Sequence, residues 1–192
     1  LGCLDANVFA SQLVQLSSDE IARFAAGGAA AVSMPLSNCE VGGGVAPVTE
    51  LLAAGIRLGL GSDGYIDNFF EVMRGAFLIH KAHRQDPQAM PAKTVYGMAT
   101  SLGASAIGRS DIGVIAPGCR ADIITVLAVA HTPVTKENIY DQLILFRNPE
   151  DVQNVFVEGE QLKADGKLTR LDQQAIGKEL RTACETFWAA IR

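Results

Sequence analysis

Asp63 is the carboxylate best placed to do chemistry. It follows Ile56-Arg57-Leu58-Gly59-Leu60-Gly61-Ser62 and precedes Gly64. An apolar run that ends in glycines reads as a buried strand followed by a turn. At the carboxyl end of a strand in an α/β barrel, side chains from several strands converge, and a carboxylate there can bind a metal or take a proton. The same residue can also serve only as a cap or turn former. His80 and His83 lie three apart, so one helix face could offer two imidazoles. They sit well along the helix that follows Asp63, however, and read more simply as a helix-surface or interface pair. His131 precedes Thr132-Pro133 and reads as a loop residue. Cys39 follows Asn38, but a thiol nucleophile needs a base, and none is identifiable nearby. Gly42 to Gly44 lack the Lys-Ser/Thr ending of a phosphate loop. They would let a loop approach a substrate closely.

The elements that must hold these residues can be read in order. Asn7 to Leu16 reads as a strand. Ser17 or Ser18 caps a helix from Asp19 to Ala26, with acidic residues in its first turn, and Gly27-Gly28 ends it. Ala29 to Met34 is a second strand, Pro35 to Ala46 a loop and Val48 to Ala54 a short helix entered through Pro47. The strand leading to Asp63 follows. This βαβαβ order implies a parallel sheet. Asn68 to Arg84 is amphipathic, with Phe69, Val72, Met73, Ala76, Phe77 and His80 at helical spacing. Ala92 to Ile107 reads as one helix rich in small residues. The character changes near Ser110: Ile123 to Leu127 is a strand, Ile139 to Phe146 a helix, and Val152 to Leu162 a hairpin. Leu171 to Arg192 closes the chain as a helix with Ile176, Leu180, Cys184, Phe187 and Trp188 on one stripe.

Composition narrows the class. The 192 residues are 48% hydrophobic and 19% charged, with a mean hydropathy of +0.19, which is apolar for a soluble protein. Such a balance suggests a large shared core or surfaces that another chain covers. A net charge of -5 with scattered basic residues argues against nucleic acid and against an anionic membrane surface. Cys3, Cys39, Cys119 and Cys184 are too widely spaced for a CxxC site and fit a reducing, cytoplasmic setting. No apolar run reaches membrane-spanning length.

Several segments together resemble one family. They are Ser37-Asn38, the glycine loop, Ala46-Pro47-Val48, Gly59-Leu60-Gly61-Ser62-Asp63-Gly64, Met98-Ala99-Thr100, Ala116-Pro117-Gly118-Cys119-Arg120-Ala121-Asp122 and Val155-Phe156-Val157-Glu158-Gly159. These are similar to the later part of the amidohydrolase superfamily, in its deaminase and chlorohydrolase branch. The resemblance implies an α/β fold: the later βα units of a (β/α)8 TIM-type barrel, then strands of a small β domain and a closing helix. Residues 1–109 would be the barrel portion, 110–162 the β-domain strands with a connecting helix, and 163–192 the C-terminal helix. A full barrel takes about 250 residues, so the family's first half, with its His-x-His metal pair, would lie outside this chain.

The resemblance also implies a site. Asp63 matches the family's metal-binding and proton-shuttling carboxylate, with zinc or iron as the metal. Gln12 stands where the family has a metal-binding His, Gln15 near a catalytic Glu, and Ser33 at a further His. Gln12, Ser33 and Asn38 are thereby candidates for substrate binding rather than metal ligation. A neutral amide is a poor zinc ligand, and Gln15 cannot take a proton as a Glu could. Two readings follow. One is the C-terminal part of a metal-dependent hydrolase acting on C–N (or C–Cl) bonds of small, often nitrogen-heterocyclic substrates, inactive as this chain alone. The other is a diverged, non-catalytic binding or structural module. Either way a part-barrel leaves sheet edges open, so its expected partners are the missing N-terminal half or a second copy of itself, besides a small-molecule substrate.

Overall fold

A computed structural model describes residue 4 and residues 8–64, 66–128 and 132–191. His131 and Cys3 lie outside the described residues. Two compact units emerge, one of Leu1–Arg120 with Ala128–Pro149 and one of Ala121–Leu127 with Glu150–Arg192.

The first unit is built on a parallel sheet of β1 (Phe9–Ser11), β2 (Ala30–Ser33) and β3 (Arg57–Leu60), in the order β1-β2-β3. Helix α1 (Ser18–Gly27) makes the first crossover. It begins in a full capping box: Ser17 Oγ accepts from the Glu20 N–H while the Glu20 carboxylate takes the Ser17 N–H. It ends on Gly28 in the left-handed conformation that glycine adopts without strain. All four residues of β2 are buried, as a strand covered on both faces must be. Between β2 and β3 the sequence reading had one loop and one helix. The chain instead forms two helices, α2 (Pro35–Glu40) and α3 (Val48–Ala53). Pro35 opens α2, where its missing N–H is no loss. The expected strand over residues 7–16 is shorter than read: β1 ends at Ser11 because Gln12 and Leu13 turn to positive φ.

After β3, α4 (Phe69–Arg84) is capped by Asn68 Oδ1, which accepts from the N–H groups of Phe70 and Glu71. The expected single helix from Ala92 breaks in two, α5 (Ala92–Met98) and α6 (Ser101–Ala106). The break brings α6 tightly onto β3. A Cβ on Gly59 would stand 3.1 Å from the Gly103 Cα, and one on Gly103 would stand 2.7 Å from the Met98 carbonyl oxygen. Two facing glycines set that distance.

Helix α7 (Ile139–Phe146) has the expected bounds. It was read as a link inside the small β domain, yet it groups with the first unit. The reason is packing: Ile144 is fully buried, the Tyr140 ring meets that of Tyr96 of α5 at a tilt of 49° with centroids 5.2 Å apart, and Arg74 of α4 donates to the Ile144 and Arg147 carbonyls at 3.2 and 2.9 Å. Carbonyls at the end of a helix lack intrahelical donors, so such side-chain donors tie the end down.

The second unit is an antiparallel sheet in the order β4-β5-β6-β7, formed by β4 (Ile123–Val126), β5 (Val152–Val157), β6 (Glu160–Ala164) and β7 (Lys167–Leu168). Both tight turns, Glu158-Gly159 and Asp165-Gly166, take positive φ at both residues, the twist that two-residue hairpins favour. The Asp122 carboxylate accepts the Glu158 N–H at 2.7 Å. Helix α8 (Gln173–Ala190) follows, capped by Asp172. Among the described residues no helix is long and apolar enough to cross a membrane.

Candidate functional site

The strand ends of the first unit meet at one rim. The ladder continues past the strands through Gln12 N–H to the Val32 carbonyl at 2.9 Å and Gly61 N–H to the Ser33 carbonyl at 2.9 Å. Gly61 lets the chain pass: a Cβ there would stand 2.9 Å from Val32 Cγ2. The chain then turns through Asp63 and Gly64, at φ 60° and 78°. Asp63 and Gln12 are thus both held in left-handed conformations, beside each other at the ends of β3 and β1. Non-glycine residues adopt such a conformation at a cost and concentrate at functional rims.

Two side chains grip one oxygen of Asp63. Gln12 Nε2 donates to Oδ2 at 3.1 Å, and Ser37 Oγ donates to the same Oδ2 at 2.5 Å. Ser37 is buried in α2, and Asp63 itself is exposed. The carboxylate is therefore oriented by two neutral donors on Oδ2. Gln12, a substrate-binding candidate from the sequence, lies within hydrogen-bond reach of Asp63. Ser37 was read only as half of the Ser37-Asn38 motif. Its contact was foreshadowed by that motif, but only the helix opened by Pro35 aims its hydroxyl at Asp63.

Ser33 and Asn38 fall into a different cluster. Both are buried, and with Gly44, Val45, Ala46, Ile79 and His80 they line a narrow crevice. His80, read as part of a helix-surface or interface pair, is buried at 3% exposure, and its Nε2 has no hydrogen-bond partner among the described residues. Burial, with His83 beside it, holds the imidazole down to a pKa of about 4, against the pull of Glu50. On its other side His80 borders an open cavity of about 240 Å³, lined also by Glu50, His83 and Arg84. His83, Gln15 and Cys39 are exposed. Neither Gln15 nor Cys39 takes part in the rim cluster.

The donor set decides what the rim can hold by itself. Zinc and iron sites are assembled from imidazoles, thiolates and carboxylates. Here one carboxylate meets an amide and a hydroxyl, and among the described residues no three His, Cys, Asp or Glu side chains cluster as a metal site. The side chains present do not fit either metal unaided.

Comparison with known proteins gives the frame. The model of the "Amidohydrolase family" matches residues 2–162. The chain belongs to the amidohydrolase family. It is 34% identical over 180 residues to a 5-methylthioadenosine/S-adenosylhomocysteine deaminase of Carboxydothermus hydrogenoformans, covering 92% of this chain and 42% of that protein. It is 32% identical to a 5'-deoxyadenosine deaminase of Methanosarcina mazei, over the whole chain and 45% of that protein. Among solved structures it superposes on a zinc-bound adenosine deaminase from Xanthomonas campestris with a TM-score of 0.89 at 27% identity, covering 98% of this chain and 44% of that one. A zinc complex of atrazine chlorohydrolase TrzN from Arthrobacter aurescens gives 0.80 at 26% identity, over 93% and 41%. This amidohydrolase chain thus spans less than half the length of the relatives it matches and corresponds to their C-terminal part. Its three parallel strands are a partial barrel, and the antiparallel sheet follows it in sequence.

Proposed function

We propose that this chain forms the Asp63-bearing wall of a hydrolase that cleaves C–N bonds of small nitrogen-heterocyclic substrates, by deamination of an adenosine-type nucleoside, and that the chain alone does not turn substrate over. The observation that carries this is the Asp63 carboxylate, presented at the end of β3 with Oδ2 gripped by Ser37 and Gln12. Deamination of a purine ring adds water at the carbon bearing the amino group and expels ammonia, so a proton must leave the water. Asp63 is the group here that can take it. With both donors on Oδ2, Oδ1 remains to accept the proton. The deaminase relatives support the substrate class. Gln12 and Ser33 are neutral at every working pH and supply neither imidazole nor base, so any metal would depend on ligands from sequence outside this chain.

Ammonia release from 5'-methylthioadenosine tests the reading. The chain alone should release none. Co-expressed with the portion of the Carboxydothermus hydrogenoformans deaminase that it does not match, it should restore turnover, and Asp63→Asn should remove at least about a thousandfold of that, the scale of a lost catalytic proton acceptor. Turnover that survives Asp63→Asn would overturn the role of Asp63. A second reading, a non-catalytic binding module, is favoured by one contact: Gln12 ties the carboxylate to a neutral amide. A complemented pair that binds the nucleoside and never releases ammonia would support it.

A further inference from the structure

Helix α8 has 18 residues, a length of about 27 Å. Every residue from 173 to 190 is exposed. Its side chains are nonetheless those of a packed helix. Ile176, Leu180, Phe187, Trp188 and Ile191 are 47 to 63% exposed, and with Cys184, also exposed, they fall on one stripe. The Phe187 and Trp188 rings meet edge to face at 5.5 Å. An amphipathic helix draws most of its stability from covering such a face.

The stripe matches itself. With a two-fold axis between residues 183 and 184 and the helices antiparallel, Ile176 faces Ile191 of the second copy, Leu180 faces Phe187, and the two Cys184 thiols lie side by side at the centre. Arg181 flanks the stripe on the same side as Glu185. In this register it stands opposite Thr186 of the copy, next to Glu185, and the symmetry makes the Arg–Glu pair twice. Such flanking pairs set orientation in paired helices, and antiparallel helices also oppose their dipoles. A parallel arrangement would not bring Ile176 to Ile191. We propose that α8 is the dimerisation helix of this chain, pairing antiparallel with α8 of a second copy through the Ile176–Ile191 stripe. One helix pair buries little area, so association in the micromolar range is the expected strength.

The test uses the whole chain with Cys3, Cys39 and Cys119 changed to Ser, leaving Cys184 as its thiol. Sedimentation velocity should show a concentration-dependent dimer, and a short bismaleimide should convert it to a covalent dimer through Cys184. Arg181→Glu should weaken dimerisation about tenfold, the effect of setting like charges together, and Arg181→Glu combined with Glu185→Arg should restore it. Circular dichroism confirms that the helix persists in each variant. A monomer at all concentrations, a dimer that Cys184 does not cross-link, or a charge swap that restores nothing would each overturn the proposal.

Discussion

His80 is the residue at which burial and charge disagree most. Its imidazole is buried with an Nε2 that has no partner among the described residues, and a charge there would be desolvated without compensation. The folded chain therefore keeps it neutral down to about pH 4, whereas the unfolded chain takes up the proton near the ordinary value of 6.5. Below 6.5 the unfolded state binds more protons, so stability is complete above that pH and drains away as pH falls towards 4. A shift of this size corresponds to about 3 kcal/mol. Carboxylates with lowered pKa, such as Glu50, also lose stabilisation in acid, so the diagnostic is a difference. Urea unfolding at pH 7 and pH 4.5 should show His80→Leu losing markedly less stability than the parent chain. Parallel losses in the two would reject His80 as the origin. The sequence already held this answer, since the helical spacing that groups Phe69, Val72, Met73 and Ala76 also includes His80. Reading the histidines as a surface pair ignored that stripe. Ser37 was harder to foresee, because its reach to Asp63 depends on a turn with positive φ at Asp63 that no local pattern announces. Removing it with Ser37→Ala should release one donor from an exposed carboxylate and cost about 1 kcal/mol, read from the denaturation midpoint; an unchanged midpoint would mean that the Gln12 contact alone sets the Asp63 orientation.

At the scale of elements, the alternation of strands and helices was legible because caps and turns punctuate it. The Ser17 capping box, the Asn68 cap and the bounds of α7 all follow from local chemistry. The break between α5 and α6 was not legible. It exists because α6 must lie on β3 at a distance that only Gly59 and Gly103 permit, a contact between residues far apart in sequence. Gly103→Ala would push a methyl to 2.7 Å from a backbone carbonyl, which cannot swing aside. Overpacking of this kind costs about 2 kcal/mol, so the thermal midpoint should fall by several degrees, while Gly177→Ala, a glycine without positive φ and with nothing within 4 Å, serves as the control without a clash. The last hairpin strand, β7, was missed although Asp165-Gly166 is a strong two-residue turn signal; a strand of two residues offers no alternation to see. The placement of α7 was also hidden, since it rests on Arg74. Arg74→Met keeps most of the apolar stem but leaves the Ile144 and Arg147 carbonyls without this donor. Hydrogen exchange should accelerate across α7 before it does across α4. Uniform acceleration of both would show that Arg74 stabilises the unit as a whole rather than this junction.

At the scale of the molecule, the partial barrel leaves its sheet incomplete. β1 and β3 each pair only with β2 among the described residues, and Phe9 on β1 is 50% exposed. An open edge strand carrying an aromatic side chain is a template for pairing with another chain. The high apolar content pointed to such covering from composition alone, but not to where it is needed. One such position is at β1. Relatives more than twice as long have chain available to cover such an edge. For this chain in isolation the edge should drive association of a different kind from helix pairing: slow, concentration-dependent and ending in aggregates. A charge on an edge strand opposes that pairing, because joining a second edge would bury it. Phe9→Lys should therefore slow the growth of light scattering several-fold on incubation at high protein concentration. The urea midpoint should barely move, since the side chain it replaces is already half in solvent. Equal scattering in parent and variant would locate the associating surface elsewhere.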